Sequence, residues 1–262
     1  MINASIVLYK HSLEEITPLV HTLRSSELIA SIFLIDNSPI ENRSFTELDA
    51  IYIFNNKNMG YGAAHNIAIR KTMSEKVQFH LVVNHDIAFD SSVLSEMAMY
   101  MNANNDIGWL MPKVIYPNGN TQYLCKLLPS PSDLLFRRFL PAKWTKSQTA
   151  RFEMRATGYD HIMDVPYLSG CFMFLRAKAL DKVGLFDERF FMYPEDIDLS
   201  RRMQRNYRTV FYPNVTITHH HAQASYLNLK MLLIHIVNMI KYFNKWGWIF
   251  DKERDEINRN VK

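Results

Sequence analysis

The sequence has 262 residues, of which 48% are hydrophobic, enough to bury one substantial core. Its formal net charge is only +4 and no concentrated basic stripe is present, which argues against a dedicated nucleic-acid-binding protein. The two cysteines lack Cys-x-x-Cys or zinc spacing, so a reducing cytosol is expected. The start, MINASIVLYK, shows no signal-peptide pattern. The apolar stretch at 231–240 is shorter than the roughly 20 residues that span a bilayer.

Short β-branched runs alternate with helical patterns along the chain. Ser12 with Glu15 forms a capping-box pattern that predicts a helix after the first strand. The predicted strands are 4–9, 31–35, 51–54, 79–83, 171–175, 209–212 and 215–218. The further predicted helices lie at about 63–73, 91–101, 177–183 and 196–206. This alternation predicts an α/β fold with a mostly parallel central sheet, in which ligands bind at the carboxyl ends of the strands.

The stretch at about 117–164 breaks this pattern. It is rich in proline, and its basic residues outnumber its acidic ones. A long irregular connection inside a compact domain is often functional. Two interpretations stand side by side: a solvated surface insertion, or a segment that faces an acceptor or a membrane.

Polar groups follow the predicted strands. Asp36 comes where a strand gives way to a turn, so its carboxylate either caps the turn or accepts hydrogen bonds from the base or ribose of a ligand. Gly60 and Gly62 lie between a strand and a helix, where glycines bring the backbone close to a phosphate or simply form a turn. The dinucleotide-binding fingerprint would need a glycine at 65, where the chain has His65.

Asp86 follows the apolar run 79–83 directly after Asn84 and His85. A carboxylate at a strand end is costly unless a cation or hydrogen-bond donors meet it. A diphosphate bridged by Mg²⁺ or Mn²⁺ would meet that need. The alternative is a cap for the next segment.

The segment FDERFFMYPEDIDLSRR, at 186–202, carries three acidic residues where a helix begins: Glu195, Asp196 and Asp198. Acidic residues in a first helical turn are favoured by the helix dipole. Here, however, they follow an aromatic stretch that would partly desolvate a carboxylate and raise its pKa toward the range of a general base. The sequence therefore favours a catalytic carboxylate at this place.

Three adjacent histidines, His219, His220 and His221, follow the last predicted strand. On an extended segment at most two of them share a side. Imidazole accepts Mn²⁺, Fe²⁺ or Zn²⁺, but no zincin spacing is present. One histidine that completes a metal site or contacts a phosphate is favoured over a zinc site.

Taken in order, these segments resemble family 2 of the glycosyltransferases, in particular its bacterial rhamnosyltransferase-like branch. The resemblance runs from about residue 2 to 245. Its motifs are the opening strand through Val7 to Tyr9, Asp36, the loop 58–62 with Asn58, Gly60, Tyr61 and Gly62, the motif 84–86, Ser169-Gly170, the segment 190–198, and His220 followed by Ser225.

The resemblance implies a GT-A fold, a Rossmann-like sheet flanked by helices, with a C-terminal helical extension. Residues 1–225 would form the catalytic domain, including the insertion at 117–164, and 226–262 a helix and charged tail. Asp36 would contact the pyrimidine, Asp86 and His220 would hold Mg²⁺ or Mn²⁺ on the diphosphate, Asp196 would be the general base, and Glu195 would support it. The further residues implied to bind the nucleotide sugar are Val7, Tyr9, Asn58, Gly60, Tyr61, Gly62, Asn66, Asn84 and Gly170.

The implied reaction is an inverting transfer, with rhamnose from dTDP-rhamnose favoured as donor. The acceptor would be a saccharide, expected on a polyprenyl diphosphate, in bacterial O-antigen or other surface-polysaccharide synthesis. The protein would be cytoplasmic, with peripheral contact to the inner membrane. Transfer of galactose or another hexose, and a nucleotide-sugar-binding scaffold without turnover, are the alternatives.

The sequence departs from the family pattern in several places. His85 stands where proline is usual, Lys10 where asparagine is usual, and Ala222-Gln223 where two glycines are common. The choice of His220 over its two neighbours therefore stays open. No departure removes a carboxylate that the implied mechanism needs.

The region 226–250 predicts a helix with one polar stripe, formed by His235, Asn238, Lys241 and Lys245 at spacings of three, three and four. Its remaining face is apolar and aromatic. Two interpretations follow: a helix packed on the domain, or an interfacial helix with lysine and tryptophan at the level of lipid headgroups. The tail at 251–262 is expected to be solvated and frayed.

Overall fold

A computed structural model of the chain describes residues 1–134, 142–220 and 229–261. Its strands are β1 (Ile2–Leu8), β2 (Ile29–Asp36), β3 (Ile51–Phe54), β4 (Phe79–Val83), β5 (Ile87–Ala88), β6 (Ile107–Ile115), β7 (Cys125–Lys126), β8 (Met163–Asp164), β9 (Tyr167–Leu168), β10 (Phe172–Arg176) and β11 (Arg208–His219). Its helices are α1 (Leu13–Arg24), α2 (Tyr61–Ser74), α3 (Ser92–Ala103), α4 (Ala142–Phe152), α5 (Ala177–Val183), α6 (Glu195–Met203), α7 (Leu229–Trp246) and α8 (Lys252–Arg259). Short 3₁₀ helices lie at Arg43–Glu47 and Arg155–Thr157.

Most predicted elements match these bounds to within two residues, and the capping box of Ser12 and Glu15 opens α1. The two strands predicted at 209–212 and 215–218 form one continuous strand, β11. The sequence analysis missed β6, which lies inside the sheet between β10 and β11. Gly108 and Pro112 interrupt its apolar run, and both residues are disfavoured within strands. The predicted boundary at residue 225 lies outside the described residues.

The central sheet has the order β3-β2-β1-β4-β10-β6-β11-β5, with β8 added against β11. From β3 to β4 the strands are parallel, whereas β10 runs antiparallel to both of its neighbours, β4 and β6. The start of β10 therefore lies beside the end of β4, with Phe172 paired to Val83. This reversal brings the loop that precedes β10 to the edge where the parallel strands end.

The core fills both faces of this sheet, and the C-terminal region forms a second cluster against it. In that cluster Tyr242 and Phe243 of α7 pack with Phe190 and Ile197. Helix α7 is therefore packed on the domain, the first of its two predicted positions. Among the described residues, no helix is both long and apolar enough to cross a membrane.

The tail does not fray as expected, because it forms helix α8 and anchors to α6. Arg201 of α6 is buried, and its guanidinium donates to both carboxylate oxygens of Asp251 at 2.6 and 2.5 Å. It also donates to Glu253 at 2.8 Å and lies 4.2 Å from the ring of Trp246. The sequence analysis missed this anchor because the partners lie about 50 residues apart.

Replacing Arg201 with alanine leaves the Asp251 carboxylate buried without its cation. We expect Arg201→Ala to lower the free energy of unfolding by about 3–5 kcal/mol in urea denaturation. The matched control is Arg205→Ala, since Arg205 pairs with Glu253 at the surface; its cost should stay below about 1 kcal/mol. Equal effects of the two changes would contradict the anchor.

Candidate active site

Asp36 lies at the end of β2 and is fully buried. One carboxylate oxygen accepts the backbone N–H of Ser38 at 2.8 Å, and the other accepts the Tyr52 hydroxyl at 2.7 Å. Burial and this hydrogen bond raise the pKa of Tyr52, so the tyrosine stays a donor. The carboxylate thus caps the turn, as one of its two interpretations predicted. Each oxygen keeps a lone pair for a further donor.

An amide network behind Asp36 organises the loop 55–60. The Asn37 side chain donates to the Gly60 carbonyl oxygen at 3.1 Å and accepts from Asn55 at 2.9 Å. Asn58 accepts the Gly60 N–H at 3.0 Å. Asn58 therefore shapes this loop, and the sequence analysis did not single out Asn37 or Asn55.

The predicted glycines Gly60 and Gly62 receive the segment 186–195. Gly60 has φ +88°, and a Cβ added to it would lie 2.3 Å from the carbonyl oxygen of Phe191. A Cβ on Gly62 would lie 2.8 Å from the Cβ of Phe186 and 3.4 Å from that of Glu195. The missing side chains let the segment that carries the acidic pair approach α2 closely.

Asn66 also holds this segment, which is a different task from the predicted contact with the nucleotide sugar. Its buried side chain accepts the Phe186 N–H at 3.0 Å and donates to the Phe186 carbonyl at 2.9 Å and to Glu188 at 3.0 Å. No donor or acceptor group of this amide is left unused toward a cleft.

His65, which stands where the dinucleotide-binding fingerprint would need a glycine, is buried. Its Nδ1 lies 2.7 Å from the Ser5 hydroxyl, which lies 2.8 Å from Nε2 of His80. Burial lowers the pKa of both histidines, that of His80 to about 3. Neutral and inside the fold, they join α2 to the sheet.

Val7 and Tyr9, both predicted to bind the nucleotide sugar, differ in their exposure. Val7 packs partly buried against Phe33 and Ile35. Tyr9 lies just beyond the end of β1 and is exposed. Of the two, Tyr9 is the one whose side chain remains available to a ligand.

Tyr61 joins the two sides of the site. Its hydroxyl is directed at two acceptors, the Asn84 side-chain oxygen at 2.9 Å and the Gly170 carbonyl oxygen at 2.8 Å. The backbone N–H of Gly170 in turn donates to Asp196 at 2.9 Å. A series of contacts therefore leads from Asn84, two residues before Asp86, through the Tyr61 hydroxyl and the Gly170 backbone to Asp196; the single hydroxyl proton serves one of its two acceptors at a time.

Two residues after Asn84, the Asp86 carboxylate contacts the side chain of His219. Nε2 of His219 lies 3.3 Å from Oδ1 of Asp86, and its Nδ1 lies 3.0 Å from Gln122. Burial acts to lower the pKa of His219, but Asp86 and Cys171 raise it to about 10. Burial acts to raise the pKa of Asp86, which His219 nevertheless keeps below its usual value. The two side chains form an ion pair.

His220, the predicted metal-site histidine, does not direct its side chain at Asp86. Its backbone N–H donates to the Asp86 carbonyl at 2.9 Å, and its side chain is exposed. The alternation of a strand explains this, since neighbouring side chains point to opposite faces. His219 therefore takes the place given to His220, while His221 and Ser225 lie outside the described residues. His85, which stands where proline was expected, packs 3.9 Å from the ring of His11.

The surroundings of the Asp86 carboxylate indicate which kind of divalent-ion site would fit here. Its Oδ1 is buried and makes no hydrogen bond in the described part of the chain, apart from the His219 ion pair. No group of three or more potential ligands stands ready for a metal among residues 1–134, 142–220 and 229–261. Mg²⁺ commonly uses one or two carboxylates together with phosphate oxygens and water. The residues therefore fit an ion that binds together with a diphosphate, not a preformed metal cage.

At the other end of the contacts that lead from Asn84 lie Glu195 and Asp196, both buried at the start of α6. Asp196 accepts hydrogen bonds from Gly170 at 2.9 Å, Tyr167 at 3.1 Å and its neighbour Ile197 at 2.8 Å. Burial raises the pKa of Asp196 to about 6, against the lowering effect of Lys126 and these donors.

Burial and the charge of Asp196 raise the pKa of Glu195 well above its usual range. Its Oε2 is buried and has no hydrogen-bond partner in the described part of the chain, whereas three donors meet Asp196. Two neighbouring carboxyl groups in different surroundings are a pattern typical of acid–base sites.

Lys126 and Tyr167 are site residues that the sequence analysis did not single out. They pair across the short β7–β9 ladder, and the Lys126 ammonium lies 5.2 Å from the Tyr167 ring. Strand β7 lies within the irregular basic stretch and β9 follows it; residues 135–141 of that stretch lie outside the described part. The only signal in the sequence was the excess of basic residues there.

Comparison with solved structures defines the class of fold. S. aureus TarS 1–349 in complex with UDP-GlcNAc matches with a TM-score of 0.62 at 14% identity, over 98% of this chain and 70% of that one. GalNAc-T7 with UDP, GalNAc and Mn²⁺ matches with a TM-score of 0.60 at 15% identity, over 83% of this chain and 42% of that one. The fold is GT-A, and the predicted fold class is confirmed.

Sequence comparison defines the family. A family model described as "Glycosyltransferase like family 2" matches residues 45–233, well over half of the chain. The chain belongs to this family, and the predicted resemblance is confirmed.

Two curated relatives are each 27% identical. The N-acetylglucosaminyl-diphospho-decaprenol L-rhamnosyltransferase of Mycobacterium tuberculosis aligns over 180 residues, 64% of this chain and 58% of the relative. The low-salt glycan biosynthesis hexosyltransferase Agl10 of Haloferax volcanii aligns over 184 residues, 68% and 54%. The matched part thus spans little more than half of each relative.

The lysine beside Asp196 gives a test of this electrostatic arrangement. We expect Lys126→Met to raise the pKa of Asp196 above its value in the native protein, because a nearby cation favours the ionised carboxylate. Carbon NMR titration of the Asp196 carboxyl measures this directly. Lys126→Arg should keep the native pKa, and so should Lys146→Met, which removes an exposed lysine of α4. An unchanged pKa in Lys126→Met would contradict the arrangement.

Proposed function

We propose that the protein is an inverting glycosyltransferase that moves a sugar from a nucleotide diphosphate to a saccharide hydroxyl. The observation that carries this proposal is the series of contacts from Asn84 through Tyr61 and Gly170 to Asp196. It links the end of β4, two residues before Asp86, to Asp196; the first carboxylate is suited to the leaving diphosphate and the second to a general base. An inverting transfer needs these two groups on either side of one anomeric carbon.

Asp196 acts as the base in this proposal. With a pKa of about 6 it is ionised at neutral pH, yet basic enough to take a proton from an acceptor hydroxyl. The amide of Gly170 and the hydroxyl of Tyr167 fix its orientation. Burial and the charge of Asp196 favour the neutral form of Glu195, which would keep a second negative charge out of the site and donate a hydrogen bond to the acceptor.

On the donor side, Asp86 and His219 would hold the ion together with the diphosphate, and His219 would have to release the proton of its ion pair with Asp86 to do so. A bound Mg²⁺ or Mn²⁺ would supply Lewis-acid stabilisation of the charge on the leaving group. Asp36 would contact the base or ribose, which requires its buried carboxylate to become accessible when the donor binds; the exposed Tyr9 lies at the end of the neighbouring strand. The crystals of GalNAc-T7 with Mn²⁺ support a divalent ion.

For the substrates, we propose rhamnose from dTDP-rhamnose as the donor and a saccharide on a polyprenyl diphosphate as the acceptor. The support is the mycobacterial relative, whose name gives both a rhamnosyl group and a decaprenol diphosphate. The product would enter O-antigen or another surface polysaccharide, made at the cytoplasmic face of the inner membrane. Transfer of another hexose is the alternative, which the haloarchaeal hexosyltransferase favours.

A second candidate function is binding of a nucleotide sugar without turnover. One observation favours it: Asp86 is already neutralised by His219 at 3.3 Å and needs no ion for its charge. Such a protein would bind the donor tightly and release no free nucleotide with any acceptor.

The first test concerns the base. We expect Asp196→Asn to lower kcat for nucleotide release by about 10²–10⁴-fold, because the amide cannot accept the proton. In the native protein kcat should fall as the pH drops through about 6, where Asp196 becomes protonated. Stopped assays between pH 4.5 and 8.5 with a panel of nucleotide sugars measure both.

Asp160→Asn is the control for the base, since it removes an exposed carboxylate outside the site. It should retain native turnover and the same pH profile. Full turnover in Asp196→Asn would reject the assignment, and tight donor binding with no turnover in the native protein would favour the second candidate.

The second test concerns the ion. We expect Mn²⁺ to enlarge the thermal shift caused by dTDP-rhamnose, because the ion would tighten the binding of the diphosphate. A ligand present at one hundred times its dissociation constant stabilises the folded protein by roughly 2.7 kcal/mol. Asp86→Asn should abolish the Mn²⁺-dependent part, because the amide loses the anionic ligand. Asp90→Asn, an exposed change four residues away, is the control. A Mn²⁺ effect that survives in Asp86→Asn would exclude Asp86 as the metal ligand.

A further inference from the structure

The polar stripe of α7 faces the protein, not the solvent. Asn238 is buried and donates to the Met192 carbonyl at 3.1 Å, and Lys241 donates to the Arg189 carbonyl at 2.9 Å. Lys245 donates to Asp187 at 2.8 Å and to the buried Asp198 at 2.5 Å. The polar groups of the helix are therefore used to hold the segment that leads into Asp196.

The outward face of α7, in contrast, carries apolar side chains. Leu233, Ile236, Val237 and Ile240 form an outer strip at spacings of three, one and three, the pattern of a single helix face. Their exposed fractions range from 38% to 63%. A surface helix of a water-soluble protein normally turns such a strip toward the core and its polar residues outward.

The apolar surface continues beyond the end of the helix. Trp248, Ile249 and Phe250 form an exposed tip, and Phe250 is 94% exposed. The tip is held in place, since the Arg254 guanidinium donates to the Ile249 carbonyl at 3.2 Å. Large exposed apolar patches mark contact with a membrane or another protein.

Charge favours a membrane over a second copy of the chain. Residues 229–250 contain lysines and a histidine but no aspartate or glutamate. Of the acidic residues that follow, Asp251 and Glu253 pair with Arg201 and Asp255 pairs with Arg254, while Glu256 is exposed on the next helix, α8. A symmetric dimer through this face would bring two acid-free, lysine-bearing helices together, whereas anionic headgroups would complement them.

We propose that the outer strip and the tip form the surface on which the protein docks to an anionic lipid bilayer. The apolar side chains enter the boundary between headgroups and acyl chains, Trp248 lies at headgroup level, and the exposed Lys241 beside the outer strip meets anionic lipid. The surface adjoins the segment 187–193 that leads to Asp196. The docking proposal rests on the proposed function in one respect only, the identity of the acceptor. A lipid-linked acceptor would lie in the same membrane.

The experiment is sedimentation of the full chain with vesicles, without donor or acceptor. We expect the native protein to bind vesicles of phosphatidylcholine with 30% phosphatidylglycerol, and to bind less well in pure phosphatidylcholine or at high salt. The triple variant Ile236→Gln, Ile240→Gln and Phe250→Gln should lose at least about tenfold in affinity. Ile40→Gln with Met99→Gln, which removes exposed apolar side chains elsewhere, should bind like the native protein.

Two further measurements keep the outcomes distinct. Urea denaturation should show native stability for the triple variant, since all three positions are exposed. Donor hydrolysis in solution should also be unchanged, so a failure of docking and a failure of the proposed function are distinguishable. Absence of vesicle binding by the native protein, or equal binding by the triple variant, would overturn the proposal. So would a dimer in sedimentation velocity that only the triple variant loses, because that result assigns the surface to a second copy.

Discussion

The hydrogen bond from the Gly170 amide to Asp196 is the contact on which the site depends. It is possible because β10 runs antiparallel beside β4, so the loop before β10 reaches the edge where the parallel strands end. The carbonyl of the same glycine accepts from Tyr61, which also contacts Asn84. The backbone of one residue, through the peptide groups on either side of its Cα, thus connects the strand end that leads to Asp86 with Asp196. A Cβ on Gly170 would lie 3.3 Å from the Asp196 carboxylate, which explains a glycine at this place.

Burial of the acidic pair gives the site its chemistry, and other parts of the fold make that burial possible. Gly60 and Gly62 admit the segment 186–195 against α2, and Asn66 fixes its start. On the outer side, Asn238 and Lys241 of α7 hold the backbone of the same segment. Tyr193 in this segment adopts φ +89°, a strained conformation for a tyrosine that persists only where the surroundings enforce it. The protein thus uses polar contacts on both sides to keep two carboxyl groups out of water.

The sequence analysis succeeded where local pattern decides the structure. Apolar runs located most strands, and the polar residues after β2 and β4 located one edge of the site. It failed where partners are distant in sequence or where a strand breaks local rules. Strand β6 was missed because Gly108 and Pro112 interrupt it, and Lys126 because its effect on Asp196 arises only through the β7–β9 ladder. Asn66 was expected to contact the nucleotide sugar, but it bonds to Phe186, a residue 120 positions away that no local pattern connects with it.

Two results concern orientation, which composition alone does not give. The side chain facing Asp86 belongs to His219, because successive residues of β11 alternate between faces, and three adjacent histidines carry no signal of register. The polar stripe of α7 was recognised, but its direction was not, since the same spacing fits a helix that turns the stripe inward or outward. In both cases a tertiary contact decided between interpretations that the sequence left equal.

A crystal structure with an unhydrolysed nucleotide sugar and Mn²⁺ tests the central claim most directly. Anomalous scattering should locate the ion against the Asp86 carboxylate with the diphosphate beside it. The anomeric carbon should lie between that diphosphate and Asp196, with room for an acceptor hydroxyl at the Asp196 carboxylate. A diphosphate bound away from Asp86, or an anomeric carbon that Asp196 cannot approach, would contradict the account.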